Sequence, residues 1–353
     1  MIRGRPLLVG IAGAIALAAA AWWALDARLS PPGAAPADAV VLPGFAARAE
    51  AIDRIEVVGA GDASLVVLEK RDGLWRMPSR LDWPGNQRQI GDALHRLGTA
   101  KRLQAKTADP ARHARLGVED VAGAGAKGAE VRLTGVGEPV VLVVGRNHPA
   151  LGGSYVRVGD DPQAWLIDED VAPARDPAVW LDRRLLDLPL ARIERVRITP
   201  ASGRAFMLAR VDDRFTPDGV SPARLAEPDL GNATAGFTDQ LALDDLAADD
   251  GVAATRTAVF ETVDGIAVTV AAWPGDRGTW ARLSVAFDEA RARAWFGRAE
   301  GDEAPQDVDA RVAALSAQVD AWRARFAGKR FLLPAYKAQA LMTSRADYFE
   351  PAP

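Results

Sequence analysis

The sequence predicts an α+β protein made of two tandem, internally duplicated modules of antiparallel meander sheet packed with helices, preceded by one N-terminal transmembrane helix. Three observations support this fold class. An apolar stretch occupies residues 7–25, short strand patterns separated by glycine-rich turns follow it, and the first hairpin pattern recurs 141 positions downstream. A chain of 353 residues also suits about two domains better than one ordinary hydrophobic core.

Composition narrows the possible functions before any motif is considered. Hydrophobic residues make up 49% and charged residues 25% of the chain, which is typical of a globular protein. The formal net charge of -4 gives no general attraction to nucleic acid, so we expect no nucleic-acid partner. The chain has no cysteine, which excludes disulfides, thiolate metal sites, a cysteine nucleophile and an acylated lipoprotein anchor.

The apolar stretch 7–25 predicts the transmembrane helix, because as a helix it would span roughly 28 Å, about one bilayer core. Arg3 and Arg5 precede the stretch. The positive-inside rule therefore predicts a single-pass protein of the bacterial inner membrane, with its N-terminus in the cytoplasm and the bulk of the chain in the periplasm. A cleaved signal peptide is the alternative, since Ala18 and Ala20 could satisfy a peptidase.

The domain organisation follows from these segments. A stretch rich in proline and alanine lies between the membrane helix and the first module, and its composition is typical of a tether. In chain order we expect a cytoplasmic N-terminus at 1–6, the transmembrane helix at 7–25, the tether at 26–50, the first α+β module at 51–190 and the second at 191–353, with an inserted helix at about 308–326.

The first module begins with a hairpin followed by a helix. Alternating apolar residues predict strands at 52–57 and 64–70, and Trp75 then provides a large apolar anchor. Asn86 has Gln89 three residues after it, which is the form of a capping box and predicts a helix that ends near Gly98. The other expected elements are strands at 129–134, 140–144, 154–158 and 164–167 and a short amphipathic helix at 177–188.

The second module repeats this pattern. Residues 193–198 align with 52–57, and Phe215 stands near the place of Trp75. The inserted helix carries apolar residues at helical spacing. The other expected elements are strands at 205–211, 257–263, 266–271, 279–285 and 329–334 and helices at 229–246 and 335–349.

No combination of residues matches a known catalytic, cofactor or metal site, so we assign none. His95, His113 and His148 lie far apart in the sequence and lack the spacing of metal ligands. The glycines at 123–128 formally match a dinucleotide-binding motif. They precede a strand, however, and no helix opens on them, so we predict a loop.

Two other residue types could indicate function. Most of the ten tryptophans fall at strand ends or on amphipathic faces, which favours a role in core packing over carbohydrate stacking. An acidic cluster in the second module lacks the ligand spacing of a calcium loop, and we interpret it as the solvated end of a helix. It consists of Asp244, Asp245, Asp249 and Asp250.

Several stretches together resemble a bacterial family. LEKRDGLWRMP at 68–78 and DWPGNQRQIGDALHRLGTAKRLQ at 82–104, with the later VLVVG, SYVRV and AWLID stretches, resemble the family catalogued as domain of unknown function 4340. The similarity is strongest over 52–210. Members are often encoded beside ABC transporter components of the gliding-motility auxiliary type, so the resemblance implies an accessory role in the envelope. It supplies no catalytic residues.

These observations favour a non-catalytic periplasmic binding or scaffold protein, anchored in the inner membrane and accessory to an ABC-type export or envelope system. Sheet edges or the cleft between the modules would engage a partner protein. One alternative is an envelope hydrolase using carboxylates, for which Asp160, Asp161 and Asp168 are the nearest approach to a cluster. The other is a cell-envelope polymer-binding module, which would need exposed aromatic side chains in a groove.

Overall fold

The structure, a computed structural model, describes residues 38–135, 137–202, 204–219, 229–298 and 307–348. The predicted transmembrane helix at 7–25 and most of the tether therefore lie outside the described residues. Within the described ranges, no helix has the length and apolar character needed to cross a bilayer. The chain divides into two compact units, the first ending at Leu181 and the second starting at Asp182.

Both units are mixed α+β structures with large antiparallel sheets, as the sequence predicts. The described elements of the first unit are α1 (Phe45–Arg48), β1 (Ile52–Gly59), β2 (Ala63–Arg71), β3 (Leu74–Met77), β4 (Trp83–Pro84), α2 (Gln87–Thr99), β5 (Arg102–Ala105), α3 (Pro110–Leu116), β6 (Ala129–Gly135), β7 (Val140–Asn147), β8 (Ser154–Val158) and β9 (Ala164–Ile167). Its strands form one sheet in the order β4-β3-β2-β1-β6-β7-β8-β9-β5.

The two faces of this sheet differ in chemistry because side chains alternate along each strand. Ile55 and Val57 of β1 are buried on the face that α2 covers. The side chain of Arg54, also on β1, lies on the other face, where its guanidinium pairs with Glu69 of β2 at 2.7 Å. The apolar face therefore forms the core of the unit, and the polar face carries ion pairs.

Helix α2 begins as its capping residue predicts. The Oδ1 atom of Asn86 accepts a hydrogen bond from the N–H of Gln89 at 3.2 Å. Gly98, which we expected to end the helix, lies inside it, and the helix continues to Thr99. A Cβ atom on Gly98 would come within 3.3 Å of the Cα of Ala46 in α1, so glycine permits close packing there. The buried stripe of α2 consists of Ile90, Leu94 and Leu97.

The second unit has a corresponding sheet. Its described elements are β10 (Arg184–Leu186), β11 (Ile193–Pro200), β12 (Phe206–Val211), β13 (Arg214–Pro217), α4 (Leu230–Ala235), β14 (Leu241–Ala242), β15 (Asp245–Ala248), β16 (Arg256–Thr262), β17 (Ile266–Gly275), β18 (Gly278–Phe287), α5 (Glu289–Phe296), α6 (Val308–Phe326), β19 (Lys329–Leu332) and α7 (Ala335–Met342). The main sheet has the order β13-β12-β11-β16-β17-β18-β19-β15, and β10 pairs separately with β14.

The two strand orders correspond position by position, apart from the additional edge strand β4 of the first unit. The correspondence extends to an irregularity. The pairing of β1 with β6 shifts register between Ile52 and Arg54, and the pairing of β11 with β16 shifts register between Ile193 and Arg195. These shifts stand 141 positions apart in the chain, which is the offset of the sequence repeat.

Some predicted elements differ from the structure. Residues 177–188 form a 3₁₀ turn, Pro177–Trp180, and the strand β10, where we expected one helix. The helix expected at 229–246 stops at Ala235, and the chain continues into the strands β14 and β15. In both places, pairing with distant strands outweighs the local helical pattern.

Two further comparisons with the predicted layout concern boundaries and loops. Residues 182–190 belong to the second unit, whereas the predicted first module extends to residue 190. Helix α6, Val308–Phe326, covers the range of the inserted helix, and α5 was not predicted. The glycines at 123–128 lie in a loop that leads into β6, as predicted.

Candidate functional site

A half-enclosed apolar cavity of about 130 Å³ lies between α2 and the sheet of the first unit. Strands β1 and β6 form one side, and α2 with the segment 171–174 forms the other. No pattern in the sequence indicates this cavity, because its walls come from four separate parts of the chain. The apolar side chains that line it include Ile55, Val57, Leu97, Val131, Leu133 and Trp180.

Two polar side chains of α2, Gln89 and Arg96, complete the cavity wall. Arg96 is exposed to solvent, so its guanidinium lies at the mouth of the cavity. Within the described ranges, no residue forms a hydrogen bond or an ion pair with this guanidinium. The cavity thus combines an apolar interior with a positive charge at its entrance.

Hydrogen bonds hold the segment that closes the cavity opposite the sheet. The Nε1–H of Trp180 donates to the carbonyl oxygen of Ala174 at 2.9 Å, and the Trp180 carbonyl accepts from the N–H of Asn86 at 2.7 Å. At the other end, the N–H of Val171 donates to the Oγ of Ser154 at 3.0 Å. The segment is therefore tied to the fold at both ends and keeps its position over the cavity.

A side-chain amide connects the start of α2 to the sheet. The Oε1 of Gln87 accepts from the N–H of Trp75 at 2.9 Å, and its Nε2 donates to the carbonyls of Trp75 and Gly85 at 2.9 and 2.8 Å. In the second unit, the Oδ1 of Asn232 accepts from the N–H of Phe215 at 2.9 Å. Both units therefore use an amide side chain on a helix to hold the backbone of an aromatic residue on a strand.

The three carboxylates considered for a hydrolase do not converge. Asp160 and Asp161 precede β9 and Asp168 follows it, so a four-residue strand of roughly 13 Å separates them. The Oδ1 of Asp161 accepts from the N–H of Gln163 at 2.9 Å, and the Oδ1 of Asp168 accepts from the N–H of Lys101 at 2.7 Å. These two side chains stabilise local backbone structure.

The three histidines also have different surroundings. His95 is exposed on α2, whereas His113 of α3 is only 5% exposed and donates from Nε2 to the carbonyl of Pro162 at 2.8 Å. The Nδ1 of His148 accepts from the N–H of Leu151 at 3.1 Å. Within the described ranges, no group of three His, Asp or Glu side chains converges as a metal site would require.

The acidic cluster of the second module is not the solvated end of a helix. It lies on and beside β15, which pairs with β19 of the same sheet. Its members form ion pairs with arginines from other parts of the unit. The pairs are Asp244–Arg183, Asp245–Arg277 at 2.6 Å, Asp249–Arg282 at 2.9 Å and Asp250–Arg330.

Two of these arginines also contact tryptophans. Arg282 lies 4.7 Å from the ring centroid of Trp273, and Arg330 lies 4.6 Å from that of Trp280. The hydrogen bond from Arg282 holds the pKa of Asp249 below its ordinary value. The cluster is therefore a neutralised network at the sheet edge, and its charges are already partnered.

The tryptophans outside residues 1–37 are nearly all in the core. Seven of the eight that the structure describes are at most 8% exposed, and Trp295 is 38% exposed. This burial agrees with the packing role predicted for them and leaves no row of exposed rings among the described residues. The buried seven are Trp75, Trp83, Trp165, Trp180, Trp273, Trp280 and Trp322.

The second unit is filled at the positions that line the cavity of the first. Phe260 pairs with Val196 across β11 and β16 as Leu133 pairs with Ile55 across β1 and β6. The Phe260 ring stacks on Phe237, with centroids 5.3 Å apart and planes inclined by 18°. Both phenylalanines are fully buried. Aromatic packing therefore occupies this region of the second unit.

Buried polar groups fasten the helices of the second unit. The guanidinium of Arg256 donates to the carbonyls of Leu341, at 3.0 Å, and Thr343 at the end of α7. Burial lowers the pKa of Arg256 and of Lys337. Burial also raises the pKa of the Tyr348 phenol. These groups are bound inside the protein, unlike the exposed Arg96 of the first unit.

A family model described as "Domain of unknown function (DUF4340)" matches residues 75–261, just over half of the 353-residue chain. The chain belongs to this family. The DUF4340 match begins in β3 of the first unit and ends in β16 of the second, so it includes strands from both. No curated protein and no solved structure matches this DUF4340 chain.

Proposed function

We propose that this DUF4340 protein is a non-catalytic periplasmic binding or scaffold protein, anchored in the inner membrane and accessory to an ABC-type export or envelope system. The apolar stretch 7–25 and the arginines before it support the anchor and the orientation. The family resemblance supports the accessory role. The observation that carries the non-catalytic part is the separation of Asp160 and Asp161 from Asp168 by the length of β9.

The acidic residues elsewhere in the described chain support the same proposal. A carboxylate hydrolase needs two convergent carboxyl groups, with at least one held at a raised pKa. The cluster around β15 instead has each carboxylate paired with an arginine, and Asp249 has a lowered pKa. Such ion pairs stabilise structure, and the lowered pKa of Asp249 keeps that carboxylate ionised.

We further propose that the two units are copies of one ancestral module. Three correspondences support this. The strand orders agree, the register shifts at Ile52 and Ile193 stand at the repeat offset, and an amide side chain holds the strand backbone in both units. A duplicated scaffold would offer a partner two related surfaces.

Docking at sheet edges is the mechanism that this architecture suits best. The outer side of β5 already binds residues 38–41 through backbone hydrogen bonds, so the edge that we propose for docking is β15, which ends the main sheet of the second unit. An extended partner segment could add to such an edge through backbone hydrogen bonds. A membrane anchor would raise the effective concentration of the scaffold near a partner in the same membrane.

Extraction of the full-length protein in mild detergent, followed by affinity capture and mass spectrometry, tests this proposal. We expect ABC transporter subunits to be recovered with it. Reporter fusions after Leu25 should show a periplasmic location for the chain that follows. The control is the chain without residues 1–25, which should lose both results. Recovery of the full-length protein alone, in the soluble fraction, would overturn the proposal.

A further inference from the structure

We infer that the cavity beneath α2 is a binding site for a small amphipathic anion, with an apolar group of about six carbon atoms and a carboxylate. This inference concerns a ligand of the first unit alone. It does not depend on a protein partner or on the membrane anchor. Its basis is the combination of cavity volume, wall chemistry and the charge at the mouth.

The volume sets the size of the apolar group. An engineered protein cavity of about 150 Å³ with an aliphatic and aromatic lining binds benzene. The cavity of about 130 Å³ in this protein is similar in volume and has a similar lining, with Ile55, Leu97, Leu133 and Trp180 among its side chains. A six-carbon group therefore fits, whereas a complete membrane-lipid acyl chain exceeds the volume.

The charge at the mouth of the cavity determines which polar group the ligand must carry. Arg96 is exposed at the cavity wall, and its guanidinium has no hydrogen-bonded or ionic partner within the described ranges. A guanidinium binds a carboxylate through two parallel hydrogen bonds, which gives both charge and orientation. Gln89, about two turns earlier on α2, lines the same cavity and offers a further amide donor.

The charges around the mouth favour an anion. The outer face of α2 beside the cavity forms a shallow groove that carries Arg88 and Arg96 against one carboxylate, Asp92. His95 lies in the same groove. This groove therefore has more basic than acidic side chains. An anion approaching it would be attracted, and a cation of the same shape would be repelled.

The remaining residues of the wall leave the cavity open. Ala93 of α2 and Ala174 of the closing segment are small side chains that leave the space unfilled. Trp180 fixes Ala174 through its indole N–H, so the segment does not move into the cavity. The corresponding sheet positions of the second unit are packed by Phe237 and Phe260. The space in the first unit is thus a feature of one unit and not of the shared strand order.

Titration of the full-length protein in lipid nanodiscs with hexanoate tests the inference, with hexylammonium and acetate as comparison ligands. Methyl NMR spectra report binding through Ile55, Leu97 and Leu133. We expect saturable shifts of these methyl signals with hexanoate, with a dissociation constant on the order of millimolar or tighter. Hexylammonium should bind at least about tenfold more weakly because it meets Arg96 with the wrong charge. Acetate should leave the methyl signals unchanged.

Two exposed substitutions on the same helix separate charge recognition from general effects. R96Q should weaken hexanoate binding about tenfold. R88Q, which removes a charge of the outer groove but none of the cavity wall, should weaken it by no more than about twofold. A93L should fill the cavity and abolish the shifts. If A93L does not fold, the R96Q and R88Q pair still decides the question. Absence of saturable methyl shifts, or equal loss in R96Q and R88Q, would overturn the inference, whatever the result of the partner capture.

Discussion

The two units share a strand order and differ in what lies against the apolar face of the sheet. In the first unit, α2 leaves a cavity of about 130 Å³ over β1 and β6. In the second, Phe237 and Phe260 stack over β11 and β16, and the short α4 replaces a long helix. The same sheet therefore supports an open interior in one unit and a filled interior in the other.

The filled interior of the second unit favours stability, whereas the cavity of the first provides the space that the proposed ligand requires. An empty apolar cavity lowers stability by about 24 cal/mol per Å³, so a fully enclosed one of this size would cost on the order of 3 kcal/mol. The first unit tolerates part of that cost. The second avoids it with aromatic packing and with Arg256, which binds carbonyls at the end of α7. Substitutions at paired positions can test this division.

The largest effect is expected where a packed ring is removed. Phe260→Ala should lower the free energy of unfolding by about 3–5 kcal/mol, because the ring is fully buried and stacked on Phe237. Leu133→Ala, at the corresponding position of the first unit, should cost about 2 kcal/mol, near the lower limit for such changes, since Leu133 already borders a cavity. Urea unfolding of the full-length protein measures both. A loss for Leu133→Ala as large as that for Phe260→Ala would contradict the comparison.

Added volume should have opposite effects in the two units. Ala235→Leu should destabilise the second unit by about 1–3 kcal/mol, because Ala235 of α4 is fully buried and a larger side chain would clash with its neighbours. Ala93→Leu should stabilise the first unit by up to about 1 kcal/mol, since its side chain extends into the cavity. Thermal unfolding followed by tryptophan fluorescence measures both changes. Destabilisation by Ala93→Leu would show that the cavity is not free space.

The fold was predictable where the pattern was local. Asn86 and the stripe on α2 identified that helix, and helical spacing over 308–326 coincides with α6. The segment 229–246 was wrongly expected to be one helix because β14 and β15 depend on partners at 184–186 and 329–332. Those partners are distant in sequence, and no local pattern of residues reveals them.

The candidate site could not be predicted from the sequence for the same reason. Asp249 looked like a solvated charge because its partner, Arg282, is 33 positions away. The role of Gln87 in holding Trp75 was not predictable, because the two residues are 12 positions apart and lie on different elements. A cavity is harder still to foresee, since it depends on the distance between α2 and the sheet.

The amide side chains that hold the strands provide a smaller test. Gln87→Ala should lower stability by about 1–2 kcal/mol, because three backbone groups lose a hydrogen-bond partner. Asn232→Ala should cost about 1 kcal/mol, since its one short bond is to the N–H of Phe215. Arg88→Ala, in the first turn of α2, controls for a substitution that removes no bond of this kind. Chemical denaturation ranks the three, and a loss for Arg88→Ala equal to that for Gln87→Ala would contradict the assigned role.

The smallest effect concerns the buried phenol of the second unit. Tyr348 is fully buried and hydrogen-bonds to the Oγ1 of Thr234 at 2.8 Å, and burial raises its pKa. Above pH 10, the unfolded chain therefore releases the phenol proton of Tyr348 while the folded protein still holds it. This difference lowers the free energy of unfolding as the pH rises.

Tyr348→Phe removes this titration and should cost about 0.5–1 kcal/mol at neutral pH, because the Thr234 hydroxyl keeps its carbonyl acceptors. Between pH 9 and 11, the wild-type protein should lose stability more steeply than Tyr348→Phe, by less than about 1.4 kcal/mol per pH unit. Lys337 has the opposite sign, because its lowered pKa makes stability rise with pH below its ordinary value, but it is present in both proteins and cancels. Tyr336→Phe, at a 65% exposed tyrosine, is the control. Equal slopes in the wild type and Tyr348→Phe would mean that the phenol ionises as readily in the folded unit as in the unfolded chain, which is incompatible with a closely packed second interior.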